Sequence, residues 1–212
     1  YFSCRRIHKV SRTDRQPRQR LAPEERRDAI TAAAATAFTA HPYDEVALAT
    51  IAAAAGASEA LVYRYFDGKA DLYATVVRLA IDRLVARQAE ALAALPAGVS
   101  ARDRVRTSLL VYLDHVREQP TAWAAHLLAL GAEPEPAARI RRDARRDDVD
   151  RLRDLLLPDQ GARHEYALWG FFGFLDAACL HWVATGCPEA DRWSLIDAAL
   201  GALEGALGDW GR

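Results

Sequence analysis

The sequence predicts an all-α protein: an N-terminal three-helix domain containing a helix-turn-helix, followed by a C-terminal helical bundle that dimerises. Three observations carry this. Alanine is abundant and no run of strand-forming residues alternates apolar with polar, so a sheet has no signal. Apolar residues instead recur every three to four positions in long segments, punctuated by breakers such as Pro96-Ala97-Gly98 and Gly186-Cys187-Pro188. Between Val46 and Leu72, finally, two short helical patterns flank a single glycine, Gly56.

The first 20 residues hold seven Lys or Arg against one Asp, with helix breakers and little apolar periodicity. They read as a disordered basic arm that reaches DNA through residues such as Arg18 and Arg20, or else as a solvated leader. Residues 21–70 form the expected recognition domain. Pro23 opens its first helix where proline is best tolerated, and Glu24 and Glu25 complement the helix dipole. That helix should reach about Ala40, burying Ile30, Ala34, Ala37 and Phe38, and end at His41-Pro42.

Leu48, Ile51, Ala52 and Ala55 then mark one face of a short helix that Gly56 stops, because glycine reaches positive φ without a Cβ clash. Ser58 is the expected N-cap of the next helix, its hydroxyl accepting a backbone N–H. On that helix Val62 and Phe66 face the core and should dock on Ile51, while Ala60 and Arg64 face outward, flanked by Leu61 and Tyr63. Small residues allow close approach, a guanidinium can fork onto a base edge, and a phenol suits a phosphate oxygen. Asp67 is expected to cap the following helix, with Lys69 in its first turn as part of a phosphate clamp.

Ile51-Ala52, Ala55-Gly56-Ala57-Ser58, Val62-Tyr63, Tyr65-Phe66, Lys69 and Leu72 stand at spacings that resemble the DNA-binding domain of the tetracycline-repressor (TetR) family. The resemblance covers Pro23 to Leu72, about a quarter of the chain. It implies that the Ser58-capped helix enters the major groove and that Tyr63 and Lys69 touch the DNA backbone. It also implies a homodimer on double-stranded DNA, with two recognition helices in successive major grooves and a palindromic operator. The chain departs from the family at Ala47, where a hydroxyl is usual, moving that contact to Thr50. It departs again at Ala60-Leu61, where Gly-Thr is common, and at Pro42, where Gly is common. These departures read as changes of operator sequence.

Residues 71–212 read as the ligand-sensing and dimerisation domain. A long helix from about Asp71 to Leu95 leaves the recognition unit. Ser100 caps a helix to Glu118, Thr121 a short one to Leu130, and a Gly/Pro-bearing loop precedes an arginine-crowded helix from Ala137 to Leu157. Aspartates three and four residues from those arginines make this a salt-bridged solvent face rather than a DNA patch. Two helices at about 162–185 and 189–210 carry Gly170, Gly173, Gly201 and Gly205, small residues that permit a close four-helix contact with a second copy.

Aromatic and polar side chains in this domain suit a small, largely apolar organic effector. The candidates are Tyr112, Trp123, His126, Phe172 and Asp176. Asp176 is the sharpest, since a carboxylate amid Phe174, Leu175 and Cys179 needs a partner when buried, whether a ligand group, His181 or an arginine. A tilt of the long helix on ligand binding would then change the spacing of the recognition helices and release DNA.

Other classes find no support. No metalloprotease, nucleophile-elbow or phosphate-loop motif occurs, and six scattered histidines and three cysteines make neither a catalytic site, a metal site nor a disulfide framework. No cofactor is expected. With 51% hydrophobic residues and a net charge of −1 the chain reads as a cytoplasmic globular protein with no membrane helix, Tyr166 to Thr185 being broken by Asp176 and His181. The near-neutral charge has a local explanation, because residues 21–75 hold eight acids against four Lys or Arg. A helical adapter that has lost DNA affinity is the competing reading.

Overall fold

The computed structural model describes residues 22–128, 133–156 and 161–208, and among them every regular element is helical. The basic segment 1–20, with Arg18 and Arg20, lies outside the described residues, as does the end of the last helix expected at Trp210.

Helix α1 spans Pro23–Ala40, and Glu25 reaches back to accept a 2.8 Å hydrogen bond from the Ala22 backbone N–H. A 3₁₀ turn at Tyr43–Glu45 leads into α2, Leu48–Ala54, and then α3, Glu59–Val62. Gly56 sits at φ +62°, and the Ala57 and Gly56 N–H groups donate back to the Ala52 and Ala53 carbonyls at 2.8 and 3.0 Å. This pair of bonds closes α2 by satisfying carbonyls that the helix end leaves orphaned. Ile30, Ala34, Phe38, Ile51, Val62, Phe66 and Leu72 share one buried core. Ile51 is fully buried at the crossing, where truncation to Ala costs about 2–5 kcal/mol.

Helix α4, Lys69–Ala93, starts at Gly68, whose φ of +124° excludes most side chains, and Asp67 does not cap it. Instead the Asp71 carboxylate, one turn in, accepts the Asp67 N–H at 3.1 Å. That bond fixes the chain entering α4 and sets a negative charge by the helix dipole, while the N–H groups of the first turn keep no side-chain cap.

The second unit comprises α5 (Ala101–Glu118), α6 (Pro120–Leu128), α7 (Glu135–Leu156), α8 (Ala162–Ala184) and α9 (Arg192–Leu207). Ser100 caps α5, accepting the Asp103 N–H at 3.1 Å. Helix α6 begins at Pro120 rather than with a Thr121 cap, because proline's missing N–H costs nothing in a first turn. The same tolerance lets α7 take in Glu135 and Pro136, ahead of the expected Ala137. Before α9, Glu189–Asp191 form a 3₁₀ turn. Leu113, Val116, Leu168, Phe171, Leu175, Trp182, Ile196, Leu200 and Leu203 fill the core.

One helix joins the two units. The first turns of α4 belong to the α1–α3 core through Leu72 and Tyr73, and the next pack Ala74 and Val77 on Ala137 of α7. Beside this junction the Tyr73 hydroxyl donates to Glu133 Oε1 at 3.2 Å, and Arg141 Nε donates to the same oxygen at 2.8 Å. By length and composition alone α8 is long and apolar enough to cross a membrane, as core helices can be. Here that apolar character serves packing on α9, and its Asp176 is ion-paired inside the bundle.

Candidate functional site

Two features stand out: the outward face of α2–α3 and a cavity among α4, α5, α7 and α8. On the first, the Ser58 hydroxyl accepts the Leu61 N–H at 3.3 Å and so fixes where α3 starts. Val62 and Phe66 are buried against the α1–α2 core, which leaves Ala60, Tyr63 and Arg64 exposed and Leu61 half-buried. Tyr63 is 59% exposed although it is a large ring, an arrangement the core does not require. Thr50 is exposed on α2 beside this surface.

The four basic residues of this unit divide by task. Arg26 donates to the Ala55 carbonyl at 3.3 Å, and the Arg27 guanidinium lies 5.0 Å from the Phe66 ring centre, so both tie α1 to the helix-turn-helix. Arg64 makes no ion pair among the described residues. The Lys69 ammonium sits 4.2 Å over the Tyr43 ring and 3.5 Å from the Asp44 carbonyl oxygen, which holds it at the start of α4. A cation fixed beside free backbone N–H groups is suited to a phosphate.

The cavity encloses about 710 Å³, within the ~300–1,000 Å³ range usual for small-molecule sites. Leu84, Val85, Gln88 and Leu92 of α4 form one wall, and Arg104, Val105, Ser108, Leu109 and Tyr112 of α5 a second. Arg145, Asp148, Arg151, Leu152, Asp154 and Leu155 of α7 face Phe171, Phe172 and Leu175 of α8. The lining is mainly apolar, with charge concentrated on α5 and α7.

Of the expected ligand contacts, Tyr112 and Phe172 line this space, whereas Trp123, His126 and Asp176 do not. Each of those three supports the wall from behind. The Trp123 indole N–H donates to the Tyr112 hydroxyl at 3.0 Å, and His126 packs edge-on to Trp123. Asp176 accepts two bonds from Arg145, at 2.8 and 2.9 Å, so its partner is the arginine of α7. The Arg145 guanidinium in turn lies 4.8 Å from the Phe172 ring centre.

Burial governs the protonation of these groups. It raises the Tyr112 phenol, which therefore stays neutral and able to donate. It pushes the Cys179 thiol up to about 12, with the Asp176 charge adding to the effect, so this sulfur is an unreactive core group. It raises Asp176 and Asp148, against the opposing pull of Arg145 and Arg151 respectively. It takes the His126 imidazole down to about 3, and its Nδ1 is buried without a hydrogen-bond partner.

Helix α7 departs most from expectation. Its outer arginines do form surface pairs, such as Arg146 with Asp143 at 3.0 Å and Arg142 with Glu135 at 2.7 Å. Arg141 and Arg145 instead turn to Glu133 and Asp176, and Arg145 lines the cavity together with Arg151, which keeps its pair with Asp148, so the helix is charged on an inner face as well. Charge periodicity does not distinguish the two faces, because both carry arginine. Sequence reasoning does not single out the cavity residues of α4, nor Arg104 and Ser108 on α5; the spacing of four that leads from them to Tyr112, alongside the apolar row Val105, Leu109, Leu113, is the available signal.

A third surface lies on α8 and α9. Tyr166, Trp169, Phe174 and Trp193 are exposed, and a Cβ built on Gly170, Gly173, Gly201 or Gly205 would meet nothing.

Residues 30–76 match the family described as bacterial regulatory proteins, tetR family. The chain is 28% identical over 145 residues to the HTH-type transcriptional activator FasR of Mycolicibacterium smegmatis, a match taking in 67% of this chain and 64% of FasR. A TetR-like transcriptional regulator from Rhodococcus sp. RHA1 superposes with a TM-score of 0.60 at 26% identity, covering 89% of this chain and 97% of the other. The transcriptional regulator FadR from Bacillus subtilis, solved in complex with stearoyl-CoA, shares the fold with a TM-score of 0.68 at 17% identity, over 83% and 96% of the two chains. Residues 30–76, which hold the Gly56 turn, the Ser58 cap and the exposed Tyr63-Arg64 face, thus form a DNA-binding domain of the kind found in the tetR family of bacterial regulatory proteins.

Proposed function

We propose that the protein is a ligand-responsive DNA-binding regulator, a repressor that occupies a palindromic operator as a homodimer and leaves it when a small apolar organic molecule enters the cavity. The carrying observation is the course of α4: its first residue, Lys69, belongs to the recognition surface, and Leu84 to Leu92 of the same helix wall the cavity. A ligand that packs better against one setting of α4 favours that setting, and the recognition helix moves with it. Ser58, Tyr63, Lys69 and Thr50 take the backbone contacts in this reading, and Ala60, Leu61 and Arg64 the base edges. The arm with Arg18 and Arg20 adds charge. The glycine-bearing faces of α8 and α9 pair the two copies, which sets the recognition helices about 34 Å apart.

The stearoyl-CoA bound by FadR supports trying acyl compounds first. A second reading exchanges the sign of control, since FasR is named an activator: ligand would then favour binding. Selection of duplexes from a random library, followed by binding to the selected site with and without acyl compounds, tests both. A palindrome that loses protein on ligand addition is expected. Failure of a folded dimer to enrich any sequence would overturn the DNA-binding assignment in favour of an adapter.

A further inference from the structure

The cavity described above contains one arginine that the described residues leave unpaired. Of its three arginines, Arg145 is held by Asp176 and Arg151 by Asp148, whereas Arg104 has no ion pair and no side-chain hydrogen bond among the described residues. Its Nε is sealed from water without an acceptor. Arg104 itself is only partly buried and lines the cavity, and an unpaired guanidinium on a largely apolar wall gains from an acceptor that a ligand brings. The two carboxylates of the same wall do not answer it, since Asp148 is engaged by Arg151 and Asp154 is exposed.

The surroundings define the rest of that acceptor's molecule. Arg104 lies in the first turn of α5, where free backbone N–H groups also favour negative charge. From there Val105, Leu109 and Leu152 line the way to Tyr112 and Phe172, two helical turns on, ~12 Å at 1.5 Å per residue. A polar anchor at one end of an apolar passage fits an amphiphile with a negative head.

We infer that the cavity selects an apolar acid, its carboxylate paired with Arg104 at the first turn of α5 and its hydrocarbon part lying toward Phe172. This rests on the reading of the cavity as the ligand site. A planar carboxylate matches the guanidinium fork, and a hydrogen bond between two charged groups is stronger than a neutral one. The corresponding alcohol and ester lack the charge and leave Arg104 unanswered.

Calorimetric titration of the full chain with decanoate, decan-1-ol, methyl decanoate and decanoyl-CoA tests this, using wild type, Arg104→Gln and Arg104→Lys. Wild type is expected to bind decanoate ~10-fold or more tightly than the alcohol or ester, the factor that corresponds to ~1.4 kcal/mol. Arg104→Gln should bring decanoate down to the level of the alcohol, and Arg104→Lys should keep part of the preference. Equal binding of acid and alcohol by wild type, or a preference that survives Arg104→Gln, overturns the Arg104 assignment while the cavity remains the ligand site. Tighter, Arg104-dependent binding of decanoyl-CoA than of decanoate assigns the head group to a phosphate and overturns the carboxylate. Binding of none of the four compounds overturns the acid and the cavity reading together.

Discussion

The hydroxyl of Tyr73, on the helix that leaves the recognition unit, donates to Glu133 Oε1 at 3.2 Å, although 60 residues separate the two. The same ring packs at 4.9 Å on Phe38 and 5.0 Å on Tyr43, the residue that seats Lys69. Tyr73→Phe keeps the rings and removes only the donor. It should lower stability by about 1 kcal/mol, read from the midpoint of urea unfolding, and change operator affinity without changing which sequence is preferred. An unaltered operator affinity would confine this bond to a structural role.

The surface residues should separate by readout. Tyr63→Phe and Lys69→Ala should weaken binding to every duplex alike, with Lys69→Ala also reducing the slope of log affinity against log salt by about 1. Arg64→Ala should cost about 1–3 kcal/mol on the preferred site and little on others. Three variants with the same discrimination profile would remove these role assignments.

Gly173 on α8 and Gly201 on α9 face open space within one chain, so Gly173→Leu and Gly201→Leu should leave the monomer folded. In a dimer packed through these faces they would hold the backbones apart. Sedimentation should show monomer for the double variant and dimer for wild type, and a variant that stays dimeric would place the interface elsewhere.

His126 contributes a pH dependence of known sign. Its imidazole falls from 6.5 to about 3 on folding, chiefly by burial. Between these values the unfolded chain binds a proton that the folded chain refuses, so this residue's contribution to stability is lost as pH falls below 6.5. Raised carboxyls such as Asp176 and Asp148 work in the opposite direction. Thermal melts should therefore show a shallower loss of Tm for His126→Leu than for wild type between pH 6.5 and 4. Parallel curves would mean that His126 takes up its proton without unfolding.

Asp176→Asn leaves Arg145 half-buried with a weaker partner and should cost about 1–3 kcal/mol. Replacing both, as Arg145→Met with Asp176→Leu, should recover most of this, because a well-packed apolar pair avoids the desolvation of two charges. Denaturant midpoints of the three variants decide it; a double variant no better than Asp176→Asn would mean the pair holds more than itself together.

How much was legible in the sequence follows from the range of the signals. Local rules located the Gly56 turn, the Ser58 cap, the Ser100 cap and the outward side of α3, since each depends on residues within one or two turns. The same rules assign α4 an Asp67 cap that it lacks, because the backbone at Gly68 makes the glycine the capping position and leaves Asp67 a donor to Asp71. Tyr112 and Phe172 were found as aromatic candidates, but the charged wall was not. Whether Arg145 faces water or Asp176 depends on the packing of α7 on α8, and Arg104 acquires meaning only when the lack of a partner is seen in three dimensions.

Seen as a mechanism of motion, α4 is a stiff rod with its pivot near one end. Ala74 and Val77, buried against Ala137 of α7, lie within about two turns of the start of α4, and that contact is the fulcrum. Gln88, in the cavity wall, lies 19 residues from Lys69, ~28 Å of helix. A rotation of only ~5° then displaces one end relative to the other by ~2.5 Å. That is comparable to the length of a hydrogen bond, which is the distance over which a contact with DNA is made or broken.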